Sequence, residues 1–209
     1  RAARAHTQAV VGGKLVYAPS FDSHDVRAYK INSSGWATLM STESLTISGP
    51  EGIAIDPSGR FVLTAKSLDN DVESFTIDDF TFGDLTGTGA VATGTSPRSV
   101  AVSPNGQFAY VANTASNNVS GFSIDPVTGE LASTGAAVAA GTFPNSIAVD
   151  PLNRYAYTAN LVSGNITRYR INATTGTLTS LGTTLAPNAP TSLAIDGSGT
   201  FLYIVTAAS

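Results

Sequence analysis

The sequence predicts an all-β protein, a β-propeller of four-stranded antiparallel blades, with about 4.5 blades in the chain. Three observations lead to this prediction. An eight-residue pattern returns at nearly constant spacing. Each period holds four short segments rich in β-branched and aromatic residues, bounded by Gly, Asn, Asp and Pro. No stretch of helical length shows the 3.6-residue periodicity of an amphipathic helix.

The first segment of each period begins at a proline and has an alanine at its centre. Successive prolines lie 47, 47 and 46 residues apart, at Pro50, Pro97, Pro144 and Pro190. These distances divide the chain into repeats near 13–49, 50–96, 97–143, 144–189 and 190–209, which we interpret as a single propeller domain or a fragment of a larger propeller. We assign the first segment to the innermost strand, where blades converge and a small side chain allows close approach. We therefore expect the central alanines to be buried: Ala54, Ala101, Ala148 and Ala194.

The remaining segments complete each blade. The second segment starts at Leu15, Phe61, Phe108, Tyr155 and Phe201, and the third at Val26, Val72, Val119 and Ile166. A weaker fourth segment lies near Leu85, Leu131 and Leu178, after turns that carry Gly83, Gly129 and Gly176.

The two ends of the repeat series are irregular. Residues 1–12 match the innermost-strand pattern poorly, so we expect no recognisable inner strand in the first blade. The last second segment, Phe201–Ile204, has no third segment after it. Because an unpaired edge invites strand addition, we expect missing residues, or a protein partner or further copies of the chain at this open C-terminal edge.

Composition excludes several functional classes. Only 12% of the residues are charged and the net charge is −4, so the chain has no basic stripe for nucleic acid. The absence of cysteine excludes disulfides and thiolate-ligated metals. No apolar run approaches the ~18 residues of a membrane-spanning helix. We predict no cofactor, no nucleic-acid partner and no membrane span.

The motifs around the second and third segments resemble a known family. Tyr110-Val-Ala-Asn113 and Tyr157-Thr-Ala-Asn160 resemble the YVTN-type motif. Ser103–Gly106 and Asp125–Leu131 resemble the turns of lactonase-type β-propeller repeats, which occur in 6-phosphogluconolactonase-like proteins and in bacterial surface proteins. The resemblance covers roughly residues 13–205. It implies a propeller fold, usually of seven blades, and hydrolysis of a sugar lactone as one activity to consider.

One position of the period varies while its frame stays constant. The residue after each marker proline is Glu51, Arg98, Asn145 or Thr191. In a propeller these four side chains would cluster at the channel mouth, where a carboxylate and a guanidinium could form a polar binding site. Equally, they could be solvated residues of variable loops. The resemblance implies a paired Arg and His at the corresponding loop, whereas here Arg98 is followed by Ser99.

Other candidate groups receive a structural interpretation. The two histidines are His6, in the poorly matched N-terminal segment, and His24, which we interpret as an exposed loop residue. Asp69-Asn-Asp71 offers too few oxygen ligands for calcium and is interpreted as a turn, so we predict no metal site. No catalytic residue can be assigned from these patterns.

Two functional hypotheses remain. The leading one is a non-catalytic extracellular or periplasmic propeller that acts as a binding or assembly module, because the surface is rich in Ser, Thr and Asn and poor in charge. The alternative, which rests on the resemblance alone, is a lactonase-type hydrolase that acts on a sugar lactone.

Overall fold

The computed structural model describes residues 9–11, 15–41, 48–78, 84–186 and 188–207. These residues form antiparallel β-sheets joined by turns, with no helix among them. The predicted fold class, a β-propeller of four-stranded blades, is confirmed. No helix that could span a membrane occurs within the described ranges.

Each of the first four sheets along the described chain is one blade, and its strands succeed one another in chain order. Blade 1 contains β1 (Ala9–Val11), β2 (Leu15–Ser20), β3 (Asp25–Ile31) and β4 (Ala37–Ser41). Blade 2 contains β5 (Pro50–Ile55), β6 (Phe61–Lys66), β7 (Asp71–Asp78) and β8 (Asp84–Ala92). Blade 3 contains β9 (Pro97–Val102), β10 (Phe108–Asn113) and β11 (Asn118–Ile124), with an outer edge split into β12 (Leu131–Ser133) and β13 (Val138–Ala139). Blade 4 contains β14 (Pro144–Val149), β15 (Tyr155–Asn160), β16 (Asn165–Ile171) and β17 (Leu178–Leu185), and β18 (Pro190–Ile195) pairs with β19 (Leu202–Thr206).

The first blade has an inner strand, contrary to the prediction for residues 1–12. Strand β1 pairs with β2 so that Ala9 lies opposite Tyr17. Ala54 lies opposite Leu63 in the same column of blade 2. The prediction was wrong for residues 9–11 because it relied on a proline-bounded pattern, and this inner strand lacks the marker proline.

The central alanines are less buried than predicted. Ala54, Ala101 and Ala148 are half-buried and Ala194 is exposed. The first three pack beside the core that each blade shares with the next blade. Inner strands line the axis of a propeller, so one side of each alanine stays open, and no further blade covers Ala194 within the described residues.

The hydrophobic core lies between blades. One hydrophobic cluster lies between blades 2 and 3. It contains Phe61 and Leu63 of blade 2 and Val100 and Phe122 of blade 3. Blades 3 and 4 share an equivalent cluster around Tyr110 and Tyr169. Each second strand therefore has one apolar face that becomes buried only when the next blade covers it.

The last second strand shows the same face without a cover. Phe201, Tyr203 and Val205 are 60%, 60% and 61% exposed. The register of β18 and β19 places them in the column of Phe108 and Tyr110, which are buried. Within the described ranges β19 pairs only with β18, and a partner or further copy at this edge stays a prediction.

Aspartates at the end of the inner strands form the turn that leads into the second strand. The Asp56 carboxylate accepts hydrogen bonds from the backbone N–H groups of Arg60 and Phe61, at 2.8 and 2.7 Å. Asp196 does the same for Thr200 and Phe201. Hydrogen bonds from the Ser198 hydroxyl and the Phe201 backbone lower the pKa of Asp196 to about 2. The Asp that follows β5, β14 and β18 is thus explained by turn chemistry, and Ser103 takes the same place after β9.

A side-chain hydrogen bond, here called the latch, connects each of blades 1, 2 and 3 to the next blade at the start of its inner strand. The turn between the second and third strands of blades 1, 2 and 3 contains a residue with left-handed backbone: His24, Asn70 and Asn117. The side chain of each accepts a hydrogen bond from the backbone N–H of the residue just before the next marker proline, Gly49, Ser96 and Phe143, at 3.0, 2.8 and 2.8 Å.

The residue before the proline is also tied to its own blade. The carbonyl groups of Gly49, Ser96 and Phe143 accept hydrogen bonds from Ser67, Thr114 and Leu161, at 2.9, 3.0 and 2.9 Å. One residue therefore has its N–H bound to the preceding blade and its carbonyl bound to its own blade. This arrangement fixes where β5, β9 and β14 begin.

A second connection lies at the other end of the blades. Gly129 and Gly176 have positive φ angles, 77° and 70°, in the turns before the outer strands. A Cβ atom at Gly129 would overlap the Phe61 ring of the preceding blade, and one at Gly176 would overlap the Phe108 ring. Only glycine combines this backbone with this close approach. Gly83, named from the sequence at the corresponding turn of blade 2, lies outside the described residues.

We predict that Gly176→Ala destabilises the fold through both effects. The matched control is Gly182→Ala, because Gly182 has a φ of 95° and no neighbouring atom within 4 Å of a new Cβ. The control should lose about 1–2 kcal/mol from left-handed strain, and Gly176→Ala should lose about 1–3 kcal/mol more from overpacking against Phe108. Urea unfolding of both variants measures the difference, and equal losses would contradict the close inter-blade contact.

We also predict that the latch of blade 1 depends on an acceptor at position 24 and not on imidazole itself. His24→Asn supplies the residue used in blades 2 and 3, and its free energy of unfolding should match the wild type. His24→Gly keeps the left-handed backbone but leaves the buried N–H of Gly49 without this acceptor. It should unfold about 1–2 kcal/mol more easily than His24→Asn, whereas equal stability of the two variants would argue against the latch.

Candidate functional site

The four variable residues of the inner strands share one backbone feature, a β-bulge. In blade 3, Pro97 lies opposite Asn113 and Ser99 lies opposite Ala112, which leaves Arg98 as the extra residue. The same register shift makes Glu51, Asn145 and Thr191 the extra residues of their own inner strands. A bulge re-aims a side chain without ending the sheet, so this position can vary while the strand around it stays constant.

Two of these residues form an ion pair between blades. Arg98 Nε lies 3.2 Å from Glu51 Oε2, with side-chain exposures of 28% and 10%. Gly52 allows this approach, because a Cβ at that position would lie 2.7 Å from the backbone carbonyl oxygen of Arg98. The absence of a side chain at Gly52 therefore brings the inner strands of blades 2 and 3 close enough for the pair.

An aromatic ring lies on the other side of Arg98. The guanidinium carbon of Arg98 is 5.9 Å from the centroid of the Phe143 ring, which belongs to the start of blade 4. This distance falls within the range of a cation–π contact. Arg98 thus has a carboxylate from the preceding blade and an aromatic face from the next blade.

The other two variable residues form a separate contact. Asn145 Nδ2 donates a hydrogen bond to the backbone carbonyl oxygen of Thr191 at 2.7 Å, and the Thr191 hydroxyl donates to the Val205 carbonyl at 3.1 Å. Asn145 Oδ1 is buried and has no hydrogen-bond partner in the described part of the chain. The structure thus joins the four residues as two neighbouring pairs.

Serines beside the bulges hold adjacent inner strands in register. The Ser99 hydroxyl accepts a hydrogen bond from the backbone N–H of Ile147, and the Ser146 hydroxyl accepts one from Leu193, both at 3.2 Å. These bonds join blade 3 to blade 4 and blade 4 to β18. They keep the bulges of successive blades at the same level, which places the variable side chains at one end of the inner strands.

A charged network lies beside the site in blade 2. Lys66 Nζ is 2.9 Å from Glu73, 3.3 Å from Asp71 and 3.6 Å from Asp69. Burial lowers the pKa of Lys66, but hydrogen bonds and charges from Glu73 and Asp71 raise it by more, so the net shift is upward. The acidic groups of Asp69-Asn-Asp71 therefore surround a lysine ammonium group.

Blades 3 and 4 use uncharged side chains at the same positions. Asn113 Nδ2 donates to Asn118 Oδ1 and Ser120 Oγ, at 2.8 and 2.9 Å. Asn160 makes the equivalent bonds to Asn165 and Thr167, at 2.7 and 2.9 Å. Blade 2 thus replaces a neutral amide network by an ionic one, next to the strand that carries Glu51.

His24, the histidine in the described part of the chain, does not join this constellation. His24 lies in the β2–β3 turn, where its Nδ1 atom serves as the latch acceptor for Gly49. Its function in the fold matches that of two asparagines, so it is not assigned as a catalytic base. His6 lies outside the described residues.

A groove of about 610 Å³ lies at the opposite end of blades 2 and 3, lined in part by Arg60, Asn105 and Pro126. The cation of Arg60 is already used there. Its Nη2 atom donates to the Pro126 carbonyl at 2.7 Å, and its Nε atom donates to Ser58 at 2.9 Å. We therefore place the candidate site at the bulges and not in this groove.

The chain is similar to several solved propellers. It is 22% identical to a 6-phosphogluconolactonase candidate from Bacteroides uniformis, with a TM-score of 0.78, over 96% of this chain and 57% of that one. A protein from Lactobacillus plantarum gives 22% identity and a TM-score of 0.81, over 90% and 57%. The periplasmic gluconolactonase of Pseudomonas aeruginosa gives 20% and 0.74, over 96% and 56%. The chain thus spans less than three fifths of each of these proteins, and at such identities the likeness concerns the fold.

No curated protein sequence matches the chain. The family model described as "Lactonase, 7-bladed beta-propeller" matches residues 13–143, more than half of the chain. This match agrees with the YVTN-type motifs, the four-stranded blades and the solved structures. The chain belongs to the lactonase family of seven-bladed β-propellers.

Proposed function

We propose that the chain contributes to a lactone hydrolase, and that the Glu51–Arg98 pair is part of its active site. The observation that carries the proposal is the position of this pair. Two oppositely charged side chains meet on bulges of adjacent inner strands, 3.2 Å apart and largely shielded from solvent. Family membership supports hydrolysis of a sugar lactone over the non-catalytic binding or assembly module that composition alone favoured.

The pair supplies two groups that ester hydrolysis requires. The Glu51 carboxylate accepts a proton from a water molecule as the water oxygen bonds to the lactone carbonyl carbon. The Arg98 guanidinium donates hydrogen bonds to the oxyanion that forms on the carbonyl oxygen. When the ring C–O bond breaks, the departing alkoxide takes the proton back from Glu51, and the product is the open-chain hydroxy acid.

Asn145 and Thr191 are proposed to bind substrate at the same end of the inner strands. The amide and hydroxyl groups of this second pair are suited to hydroxyl groups of a sugar-derived substrate. They are neutral, so they add hydrogen bonding without changing the charge balance of Glu51 and Arg98.

An extracellular or periplasmic location is part of the proposal. One solved relative is a periplasmic gluconolactonase, and the cysteine-free, weakly charged chain is compatible with that location.

The test is a hydrolysis assay with a panel of aldonolactones, with and without a phosphate group. Glu51→Gln should lower kcat by about 10²–10⁴-fold, and Arg98→Ala by about 10²–10³-fold. Arg170→Ala is the matched control, because Arg170 is an exposed arginine on β16 outside the site. It should leave the rate unchanged.

The assay distinguishes the lactone hydrolase from the non-catalytic module. A wild-type protein that hydrolyses no lactone of the panel, or variants at Glu51 and Arg98 that keep full activity, would contradict the proposal. The first result would favour the non-catalytic module.

A further inference from the structure

We propose that Phe143 is a positioning residue that holds the Arg98 guanidinium in the plane that faces Glu51. Its consequence for catalysis rests on the proposed hydrolase function, whereas its effect on Arg98 can be measured without any activity.

The backbone of Phe143 is the first reason. Phe143 has a φ of 60°, the left-handed region that bulky side chains rarely adopt. The residues in the same column of blades 2 and 3 are Gly49 and Ser96, with φ angles of 62° and 52°. Glycine avoids the strain altogether and serine is small. A large aromatic residue at this position is costly for the fold, so the ring must contribute something that the turn alone does not require.

Two hydrogen bonds hold the backbone of Phe143 in its strained conformation. The Asn117 side chain accepts a hydrogen bond from the Phe143 N–H at 2.8 Å, and the Phe143 carbonyl accepts one from Leu161 at 2.9 Å. These two bonds hold the residue although its side chain disfavours this φ. The backbone of Phe143, and with it the Cα–Cβ bond that carries the ring, is therefore fixed relative to both blade 3 and blade 4.

The position of the ring is the second reason. A guanidinium group stacks its flat face on an aromatic ring and uses its N–H edges for a carboxylate. Arg98 has both kinds of partner, with the centroid of the Phe143 ring 5.9 Å from its central carbon and Glu51 Oε2 3.2 Å from its Nε. A long side chain on a bulge has many rotamers, and contacts on two sides restrict it to one. Phe143 thereby pre-organises the cation that the proposed reaction needs.

The other blade interface provides an internal comparison. Glu51 and Arg98 are the bulge residues of blades 2 and 3. The residue before the next marker proline is Ser96 for Glu51 and Phe143 for Arg98. The position before the next marker proline thus carries a small hydroxymethyl group in the case of the carboxylate, Glu51. It carries an aromatic ring in the case of the cation, Arg98. This placement matches the chemistry, because an aromatic face attracts a cation and not an anion.

The experiment separates the ring from the backbone strain. Phe143→Ala and Phe143→Gly both remove the ring, but only Phe143→Gly removes the left-handed strain. Phe143→Tyr keeps the ring and the strain. The readouts are the melting temperature and the solvent-exchange rate of the Arg98 Nε–H proton, followed by ¹⁵N NMR. Ser96→Gly is the control, since it relieves the equivalent backbone position and removes no ring.

We expect Phe143→Gly to melt several degrees above Phe143→Ala, while both exchange the Arg98 Nε–H about tenfold faster than the wild type. Phe143→Tyr and Ser96→Gly should exchange at the wild-type rate. If Phe143→Gly folds poorly, Phe143→Leu gives the same test against Phe143→Tyr, because leucine retains apolar bulk without a π face. Exchange within twofold of the wild type in the variants that lack the ring would overturn the proposal.

The lactone assay then tests the effect of Phe143 on catalysis, separately from its effect on Arg98. In an active hydrolase, Phe143→Gly should lower kcat more than it raises KM, as expected for a group that acts through Arg98. If the wild type proves inactive, the proposed function fails, and the exchange data still decide whether Phe143 positions Arg98.

Discussion

At Pro50, Pro97 and Pro144, the residue before the marker proline controls the geometry of this propeller. Its N–H is bound by a turn of the preceding blade and its carbonyl is bound by a turn of its own blade, as in Ser96 with Asn70 and Thr114. The proline next to it has a fixed φ and no N–H to donate. The residue after the proline is forced out of the ladder into a bulge. One repeated set of hydrogen bonds therefore determines where blades join, where inner strands start and which residue forms the bulge.

The difference between framework positions and the bulge position explains how a repeated framework can carry a unique site. Framework positions repeat their chemistry, with Asn or His as latch acceptor and Ser between inner strands. The bulge position changes from an acid to a base to an amide to a hydroxyl. Blade 2 deviates further, with Gly52 in the serine column and Lys66 in the asparagine column. Both deviations flank Glu51, where the ion pair with Arg98 forms.

Much of the fold can be predicted from the sequence because it depends on local patterns. The period, the strand order and the glycine turns are encoded within each repeat, and the structure confirms the fold class. The half-buried Ala148 and the exposed Ala194 were not foreseen, because burial depends on the angle between blades and on whether another blade covers the strand. The strand Ala9–Val11 was not foreseen because it lacks the marker proline.

The site was only partly predictable. The variation after each proline is visible in the sequence and identified Glu51, Arg98, Asn145 and Thr191. The bulge was not visible, because strand register is a property of two paired segments. Phe143 was missed for a similar reason. Its φ angle and its distance from Arg98 depend on the hydrogen bond that the Phe143 N–H donates to Asn117 and on the approach of blades 3 and 4.

The repeated framework stabilises the fold, whereas the bulge residues contribute little to its stability. The free energy of unfolding of variants at the two kinds of position tests this difference most directly. The decisive protein is a double variant, Glu51→Thr with Arg98→Asn, in which both charges are replaced by residues of the kind that other blades use at this position. Asn117→Ala, which removes a latch acceptor, serves as the framework comparison. We expect the double variant to stay within about 1 kcal/mol of the wild type, while Asn117→Ala loses about 2–3 kcal/mol from the unpaired N–H of Phe143 and the left-handed strain of alanine. A double variant that loses as much as Asn117→Ala would contradict this difference.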